Sequence, residues 1–144
     1  MTKGRPRPDL AAMLGPLVRE LVAAELPILE RHGLSMWGYT VLTELDNSPV
    51  RTQAALAAAI GADKTRIIAV LDDLQQLGYI DRRPDPDDRR VRLLELSERG
   101  RTIKRQAQQA IQRGEERWLC QLAPSDRKSL LRILQQLTPR PPDD

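Results

Sequence analysis

Cysteine and histidine are nearly absent from this sequence, and their scarcity excludes several kinds of site. The chain has one cysteine, Cys120, and one histidine, His32. A single cysteine cannot form a disulfide within the chain, which fits a reducing compartment. Zinc sites are usually built from cysteine and histidine, so an ordinary zinc site is also excluded. We expect His32 to cap a helix or to lie on the surface.

Aromatic residues and long apolar runs are also scarce. The chain has two tryptophans, two tyrosines and no phenylalanine, so its core must be built from leucine, isoleucine, valine and alanine. A composition rich in leucine and alanine favours helix. No apolar run approaches the ~20 residues that span a membrane, and the N-terminus lacks an apolar signal core. We therefore expect no membrane partner and a cytoplasmic location.

Motifs that carry catalysis are absent as well. The sequence has no glycine-rich loop that would hold a phosphate, no nucleophile motif and no cluster of metal ligands. Asp87 and Asp88 are adjacent carboxylates, but they lie in a proline-containing turn next to arginines. The sequence therefore predicts a protein that is not an enzyme, without catalytic residues, metal or cofactor.

The most informative part of the sequence, from Asp63 to Leu96, has the pattern of a short helix followed by a β-hairpin. Asp63 is a typical helix N-cap, and Gly78 ends the helix because glycine adopts the left-handed turn without a steric penalty. Two strands, residues 79–83 and 89–96, flank a loop rich in proline and aspartate. The apolar residues of the helix recur at helical spacing: Ile67, Val70, Leu71 and Leu74.

This helix and hairpin are predicted to form a winged helix-turn-helix. Small polar and basic residues fill the first turn of the helix, which suits entry into a DNA major groove. Arginines on the hairpin suit contact with phosphates or the minor groove. The preceding helix, capped by Thr52 and ending at Ile60, supplies the other half of the motif, with Gly61 in the turn. A helix and hairpin with solvated arginines is the alternative.

An apolar helix precedes this region. It begins after Asp9 and ends near His32, and we expect Pro16 to kink it and Pro27 to interrupt it. Ser35 then caps a second helix, which leads to a turn at residues 46–49.

Two more helices follow the hairpin. Ser97 caps a long helix whose apolar residues recur at roughly heptad spacing, and Pro124 begins the last helix. A stripe of this length cannot be buried against a small wing. It needs the first helix, the last helix or another chain.

The order of these elements resembles the MarR (multiple-antibiotic-resistance regulator) family of bacterial transcription factors. Residues 85–90 and 94–100, DPDDRR and LELSERG, resemble the wing signature of the family, an Asp-Arg-Arg followed by a Leu-x-Leu-Thr-x-x-Gly-like run. Residues 74–80 resemble the end of the recognition helix and the start of the wing. The resemblance extends roughly from the first helix to the last.

This resemblance implies a homodimer that binds a pseudo-palindromic operator in double-stranded DNA. It implies that Arg66 pairs with a guanine, that Thr65 contacts a phosphate or a thymine methyl, and that Arg90 enters the minor groove. Asp88 would orient the Arg90 guanidinium, and Arg89 would contact phosphate or brace the wing. The full set of DNA-binding residues is then Thr52, Gln53, Lys64, Thr65, Arg66, Asp88, Arg89 and Arg90.

The sequence departs from the family pattern in the later turns of the recognition helix. Members often carry arginine or polar residues where this chain has Ile68, Ala69 and Asp73. Asp72 and Asp73 would repel a phosphate that approached them. We therefore expect these turns to contribute little to DNA binding.

The resemblance also implies a small aromatic or anionic effector. Trp37 and Tyr39 lie where such a pocket would be walled, although core or interface packing is the alternative for both. Some relatives sense oxidants through a cysteine near the N-terminus. Cys120 lies late in the long helix instead, where we expect it to be buried in a dimer interface, with no adjacent basic residue to lower its pKa.

We therefore predict a mainly α fold with a small β-hairpin wing, a winged helix-turn-helix with a helical dimerisation region. The function is a homodimeric regulator, most simply a repressor that responds to a small molecule. The alternatives are a winged-helix protein–protein interaction module and a redox-sensing regulator acting through Cys120. The predicted parts are a flexible basic tail at 1–8 (with Lys3, Arg5 and Arg7), a dimerisation helix at 9–34, the DNA-binding region at 35–97, dimerisation helices at 98–138 and a tail at 139–144.

Overall fold

The computed structural model describes residues 4–48 and 51–139 of the chain. Parts of two predicted tails, residues 1–3 with Lys3 and residues 140–144, lie outside the described residues, as does Pro49 of the predicted turn. The helices are α1 (Leu10–Arg31), α2 (Met36–Asn47), α3 (Gln53–Ile60), α4 (Lys64–Gln76), α5 (Glu98–Leu119) and α6 (Pro124–Leu137). The strands are β1 (Arg51–Thr52), β2 (Ile80–Pro84) and β3 (Arg92–Leu96). The predicted mainly α winged-helix fold is confirmed.

Four helices begin at the predicted capping residues. In each case the side-chain oxygen accepts a hydrogen bond from the backbone N–H three residues later, which satisfies one of the unpaired donors of the first turn. The caps are Ser35, Thr52, Asp63 and Ser97, with donor–acceptor distances of 2.9, 3.1, 2.7 and 2.9 Å. His32 Nδ1 lies 2.8 Å from the Ile28 carbonyl oxygen at the end of α1, so the predicted capping role of this histidine is also confirmed.

The two prolines of α1 do not interrupt it. The helix is continuous from Leu10 to Arg31 with Pro16 and Pro27 inside it, so the predicted interruption at Pro27 is wrong. Each proline removes one backbone donor and leaves the carbonyl four residues earlier without its partner. Those carbonyls belong to Ala12 and Ala23, which are exposed, so water can replace the missing donors.

The sheet has three strands in the order β1-β3-β2, all antiparallel. β1 was not predicted, because two residues carry no alternating pattern; Thr52 pairs with Leu93 in its register. β3 begins at Arg92 instead of residue 89, so the predicted start of this strand is wrong. Residues 85–91 form a loop that is closed by the Asp85 N–H donating to the Val91 carbonyl over 2.9 Å.

A core of aliphatic side chains joins α2, α3, α4 and the sheet. Its largest members are almost fully buried, and they are Leu29, Val41, Leu42, Leu45, Leu56, Ile67, Leu71, Ile80 and Leu94. The buried face of α4 is therefore the apolar face that its spacing predicted. Ala107 and Ile111 extend this core onto the middle of α5, so the long helix is anchored to α2 and the sheet.

One buried cation links α5 to α2. Lys104 is 5% exposed, and its Nζ donates to Asp46 Oδ2 over 3.0 Å and to Gln108 Oε1 over 3.1 Å. Arg101 lies 3.5 Å from the other oxygen of Asp46. The hydrogen bond from Lys104 lowers the pKa of the Asp46 carboxyl, and its charge adds to the effect. The pair therefore holds α5 in a fixed position relative to α2.

Two helices, α6 and the N-terminal half of α1, leave apolar side chains exposed. α6 buries none of its residues. The N-terminal half of α1 is similar, since Leu10, Met13, Leu14, Leu17 and Val18 are all at least 37% exposed. None of the helices in the described part of the chain has the length and apolar character needed to cross a membrane.

Candidate nucleic-acid interface

The start of α3, the start of α4 and the wing loop converge on one groove. The groove has a volume of about 380 Å³. Four of the predicted DNA-binding residues line it: Thr52, Gln53, Lys64 and Arg90. Arg92, which the sequence reasoning missed, lines it as well, together with apolar side chains from α4 that include Ile68. Residues as far as 40 positions apart in sequence, Thr52 and Arg92, therefore share one surface with a basic rim.

The first turn of α4 presents its polar side chains to solvent. Lys64, Thr65 and Arg66 are all exposed. The Asp63 carboxylate accepts a hydrogen bond from the Arg66 N–H. The other unpaired N–H groups of this turn, together with the Lys64 and Arg66 side chains, make this end of the helix electropositive. Such a helix end can approach a phosphate backbone or the edges of bases.

Arg66 contacts an aromatic ring of α2. Its guanidinium carbon lies 5.3 Å from the centroid of the Trp37 ring, a cation–π contact. Trp37, Thr65 and Arg66 line a second, open groove of about 410 Å³ between α2 and α4. Stacking occupies the face of a guanidinium and leaves its N–H edges free for hydrogen bonds. The Trp37 ring thus positions an arginine beside the first turn of α4.

The wing loop is shaped by aspartate side chains. Asp85 Oδ1 accepts from the Asp87 N–H over 2.9 Å, and Asp88 Oδ1 accepts from the Arg90 N–H over 3.1 Å. Such bonds to the backbone two residues later stabilise tight turns. The expected contact of Asp88 with the Arg90 guanidinium is therefore replaced by one with the Arg90 backbone. Arg89 and Arg90 lie exposed in the loop and not in a strand.

The wing is braced against α4 by an ion pair that the sequence did not reveal. Arg82 of β2 forms a salt bridge with Asp72 of α4, and its Nε donates to Gln75 Oε1 over 2.8 Å. This pair links the wing to the helix. It also neutralises Asp72, so this carboxylate repels a nearby phosphate less than its sequence position suggested.

The two aromatic residues expected to wall one pocket lie on different faces of α2. Trp37 faces α4, as described above. Tyr39 is half-buried, and burial raises its pKa, with further increases from the charges of Glu25 and Glu115 on α1 and α5. Residues two apart on a helix point in different directions. The two side chains therefore point to different parts of the molecule, and the assignment of both to a ligand pocket stays a prediction.

Two carboxylates face each other where α1 packs against α5. Burial raises the pKa of Glu25, and the charge of Glu115 raises it further. The pKa of Glu115 is raised by burial and by Glu116. The cavity beside them, lined also by Ile28 and Trp118, has a volume of only about 10 Å³. It is too small for an organic effector.

Cys120 is exposed at the end of α5 within the single chain. The expectation that it is buried therefore depends on a second chain. Its Sγ lies 3.7 Å from the Arg117 carbonyl oxygen. The hydrogen-bonded ion pair with Glu116 raises the pKa of Arg127, and Arg127 lies close enough to Cys120 to interact with it. The expectation that no basic residue lies nearby is wrong, because Arg127 approaches from α6 across the turn.

Among the described residues, no cluster of three or more histidine, cysteine, aspartate or glutamate side chains could hold a metal ion. The chemistry available at the groove is therefore that of cations, hydroxyls, amides and apolar groups. These groups bind phosphates and base edges by hydrogen bonds, charge and contact.

Comparison with known proteins identifies similar sequences among regulators. A family model described as MarR family matches residues 32–91, from the end of α1 through the wing loop. A transcriptional regulatory protein assigned to the hcr operon of Thauera aromatica is 29% identical over 110 residues. These residues make up 76% of this chain and 66% of that protein, so the chain spans just under two thirds of that relative.

Solved structures match over nearly the full chain. The transcriptional repressor CouR, bound to a 23-mer DNA duplex, is 27% identical with a TM-score of 0.77, over 91% of this chain and 93% of that one. The PcaV transcriptional regulator from Streptomyces coelicolor, in complex with its natural ligand, is 26% identical with a TM-score of 0.66, over 92% of this chain and 96% of that one.

Proposed function

The chain belongs to the MarR family of transcriptional regulators, and from this membership we propose that it acts as a homodimeric repressor that responds to a small molecule. A dimer bound at a promoter represses transcription because it excludes the polymerase. Its partner would be double-stranded DNA with a pseudo-palindromic operator, met in the cytoplasm. We propose a binding protein and not an enzyme.

The single observation that carries the proposal is the groove shared by α3, α4 and the wing loop. Its rim has basic side chains from two separate elements, Lys64 of α4 and Arg90 and Arg92 from the wing. A duplex offers phosphates on both sides of each groove, so a helix in the major groove and a wing beside it both meet negative charge. CouR, which has the same fold, is bound to DNA.

We assign the individual contacts as follows. Lys64 and Thr65 would contact phosphate or base edges from the first turn of α4, and Arg66 would pair with a guanine while Trp37 supports its guanidinium. Thr52 and Gln53 would contact the backbone from the start of α3. In the wing, Arg90 would enter the minor groove and Arg89 would contact phosphate, with Asp88 holding the loop through the Arg90 N–H.

The proposed dimer rests on the exposed apolar side chains of α1 and α6. A helix with no fully buried residue in its own chain gains much of its stability from packing against another surface. Residues 9–34 and 98–138 would then form the dimerisation region, and residues 35–97 the DNA-binding region. A two-fold dimer presents two α4 helices to half-sites roughly 10 bp apart, or a multiple of that spacing.

A small aromatic or anionic effector is the least constrained part of the proposal. The solved structure of PcaV contains its natural ligand, so a protein with this fold can bind a ligand. In this chain the Trp37 groove, with Arg66 at its edge, has the aromatic and cationic groups that such a molecule needs. A ligand there would favour one dimer geometry and lower the affinity for DNA.

Two other functions remain distinguishable by experiment. A winged-helix module for protein binding would show weak attraction to DNA that does not depend on sequence. A redox regulator acting through Cys120 would lose its response to peroxide on replacement with serine, while its DNA binding in reducing buffer would be unchanged.

Removal of the Arg90 side chain should weaken DNA binding and its dependence on salt. We expect Arg90→Ala to lower affinity roughly tenfold, because a hydrogen-bonded contact with a charged group is lost. The plot of log affinity against log salt should become shallower by about one unit if the contact is a phosphate. Titration of a labelled duplex at several salt concentrations measures both the affinity and its salt dependence.

Arg113→Ala, on an exposed part of α5 outside the groove, is the control. An unchanged slope and affinity for Arg90→Ala would reject the assignment of this arginine.

Charges placed on α6 should prevent dimer formation. Leu131 and Leu134 are 41% and 42% exposed in the single chain. The double variant Leu131→Asp/Leu134→Asp should be a folded monomer that binds DNA at least 100-fold more weakly, since one half-site contact is lost. Mass measurement in dilute solution reports the oligomeric state. Leu77→Asp, at an equally exposed leucine after α4, should stay dimeric. A parent protein that is monomeric at micromolar concentration would contradict the proposal.

A further inference from the structure

The DNA-facing side of α4 carries an exposed apolar side chain that the cap and the basic residues do not account for. Ile68 is 45% exposed, although its neighbour Ile67 is almost fully buried. Ala69, the next residue, is also exposed. Nearly half of the Ile68 surface is therefore available for contact with a partner, and its surroundings decide which partner fits.

The surroundings of Ile68 are those of a surface that meets DNA. Ile68 follows Lys64 by one helical turn, so both lie on the same face of α4. The two side chains line the groove of about 380 Å³ together with Arg90 and Arg92 of the wing. This face is separate from α1 and α6, which carry the apolar residues of the proposed dimer interface. A protein partner with an apolar anchor would meet three cations here, whereas DNA supplies the matching charge.

The major groove contains one apolar group that fits such a side chain, the C5-methyl of thymine. The small side chain of Ala69 allows the backbone of α4 to approach closely. Asp72, one turn beyond Ile68, is neutralised by Arg82 and does not oppose this approach. Lys64, Ile68 and Asp72 are four residues apart from one another along α4, so the cation, the exposed apolar side chain and the neutralised carboxylate lie along one face of the helix.

We propose that Ile68 is a specificity-determining residue that selects thymine in each half-site by contact with its methyl group. This inference rests on the proposed function, and it revises the expectation that the later turns of α4 contribute little. Lys64 would hold the DNA backbone nearby, and Ile68 would discriminate between thymine and bases that lack a methyl group. The contact contributes through burial of apolar surface, so it should be insensitive to salt.

A uracil scan combined with substitution of Ile68 tests this proposal. Operator DNA is first selected from random duplexes by the full-length protein, and each thymine of a half-site is then replaced singly with uracil, which removes only the methyl group. Burial of one methyl corresponds to about a fourfold change in affinity. For the parent protein we expect this loss at one or two thymines. For Ile68→Ala we expect parent and uracil duplexes to bind equally at those positions.

Leu77→Ala is the matched control, since Leu77 is 42% exposed but lies beyond the last turn of α4. It should keep the full uracil penalty. Salt variation should leave the penalty for the parent protein unchanged. If Ile68→Ala keeps the same uracil penalty as the parent, or if the parent shows none at any thymine, Ile68 does not read thymine. If no sequence is selected from random DNA, the proposed function fails too, so the two failures are distinguishable.

Discussion

Replacement of Gly100 with alanine should lower the free energy of unfolding by about 3 kcal/mol, because overpacking against a rigid backbone typically costs this much. Gly100 is buried in the first turn of α5, directly against the backbone at the start of the wing. A Cβ at this position would lie 2.8 Å from the Tyr79 carbonyl carbon and closer still to its oxygen. Backbone atoms cannot rotate away as a flexible side chain can, so α5 would have to move.

Movement of α5 would also break the hydrogen bonds that attach it to the wing. The Ser97 N–H donates to the Tyr79 carbonyl over 3.0 Å, and the Ser97 hydroxyl donates to the Gly78 carbonyl over 2.6 Å. This joint gives a physical reason for the Leu-x-Leu-Ser-x-x-Gly run. Its glycine permits contact between the helix and the strand, and its serine caps the helix and bonds the turn. Disturbance of the joint should shift the wing relative to α5.

The measurement is denaturant unfolding of Gly100→Ala beside Gly114→Ala. Gly114 lies on the same helix, and a Cβ there would meet the Ile28 side chain at 3.5 Å, an ordinary contact. Gly114→Ala should therefore stabilise the protein by roughly 0.5–1 kcal/mol through helix propensity. For Gly100→Ala we expect a decrease in Tm of roughly 10 °C. Equal effects of the two substitutions on stability would show that the contact with the Tyr79 backbone does not destabilise Gly100→Ala.

Removal of the buried Lys104 charge should have the second largest effect. We expect Lys104→Met to lower the free energy of unfolding by about 2–3 kcal/mol. This is less than the ~3–5 kcal/mol typical of a fully buried pair, because the Asp46 side chain keeps 19% of its surface exposed and retains Arg101. Methionine preserves the length of the aliphatic chain, so the loss of stability measures the contribution of the charge. Arg101→Met, which removes the exposed partner of the same carboxylate, should cost less than about 1 kcal/mol.

The pH dependence of stability separates a charge effect from a packing effect. The hydrogen bond and charge of Lys104 hold the pKa of Asp46 below its value of about 4 in the unfolded chain. The contribution of the pair is therefore fully present above about pH 4 and is lost as the pH falls through the folded-state pKa. Lys104→Met should therefore lose less stability than the parent as the pH falls below about 4. Parallel pH curves for the two proteins would contradict the ion-pair explanation.

Features encoded by neighbouring residues were predictable from the sequence. The caps at Ser35, Thr52, Asp63 and Ser97 and the glycine end of α4 follow from chemistry within a few residues, and each is present. The buried face of α4 follows from its spacing. These signals are strong because one side chain and one backbone group decide each of them.

Features that join distant residues could not be predicted in the same way. Asp46 and Lys104 are 58 positions apart, and Arg66 and Trp37 are 29 apart, so only the folded chain brings them together. The pairing of Arg82 with Asp72 depends on the angle between α4 and the wing. The late start of β3 depends on aspartate side chains that capture backbone donors in the loop, which competes with strand pairing.

The most direct test of the central claim is the affinity of the purified protein for the DNA upstream of its own gene, compared with random DNA of equal length, at two salt concentrations. Specific protein–DNA complexes are commonly ~10³-fold or more tighter than non-specific ones. We expect a preference of that order, protection of a two-fold symmetric site, and steep weakening with added salt. Weak binding that is equal on both duplexes, with selection from random DNA also failing to enrich a sequence, would contradict a DNA-binding regulator.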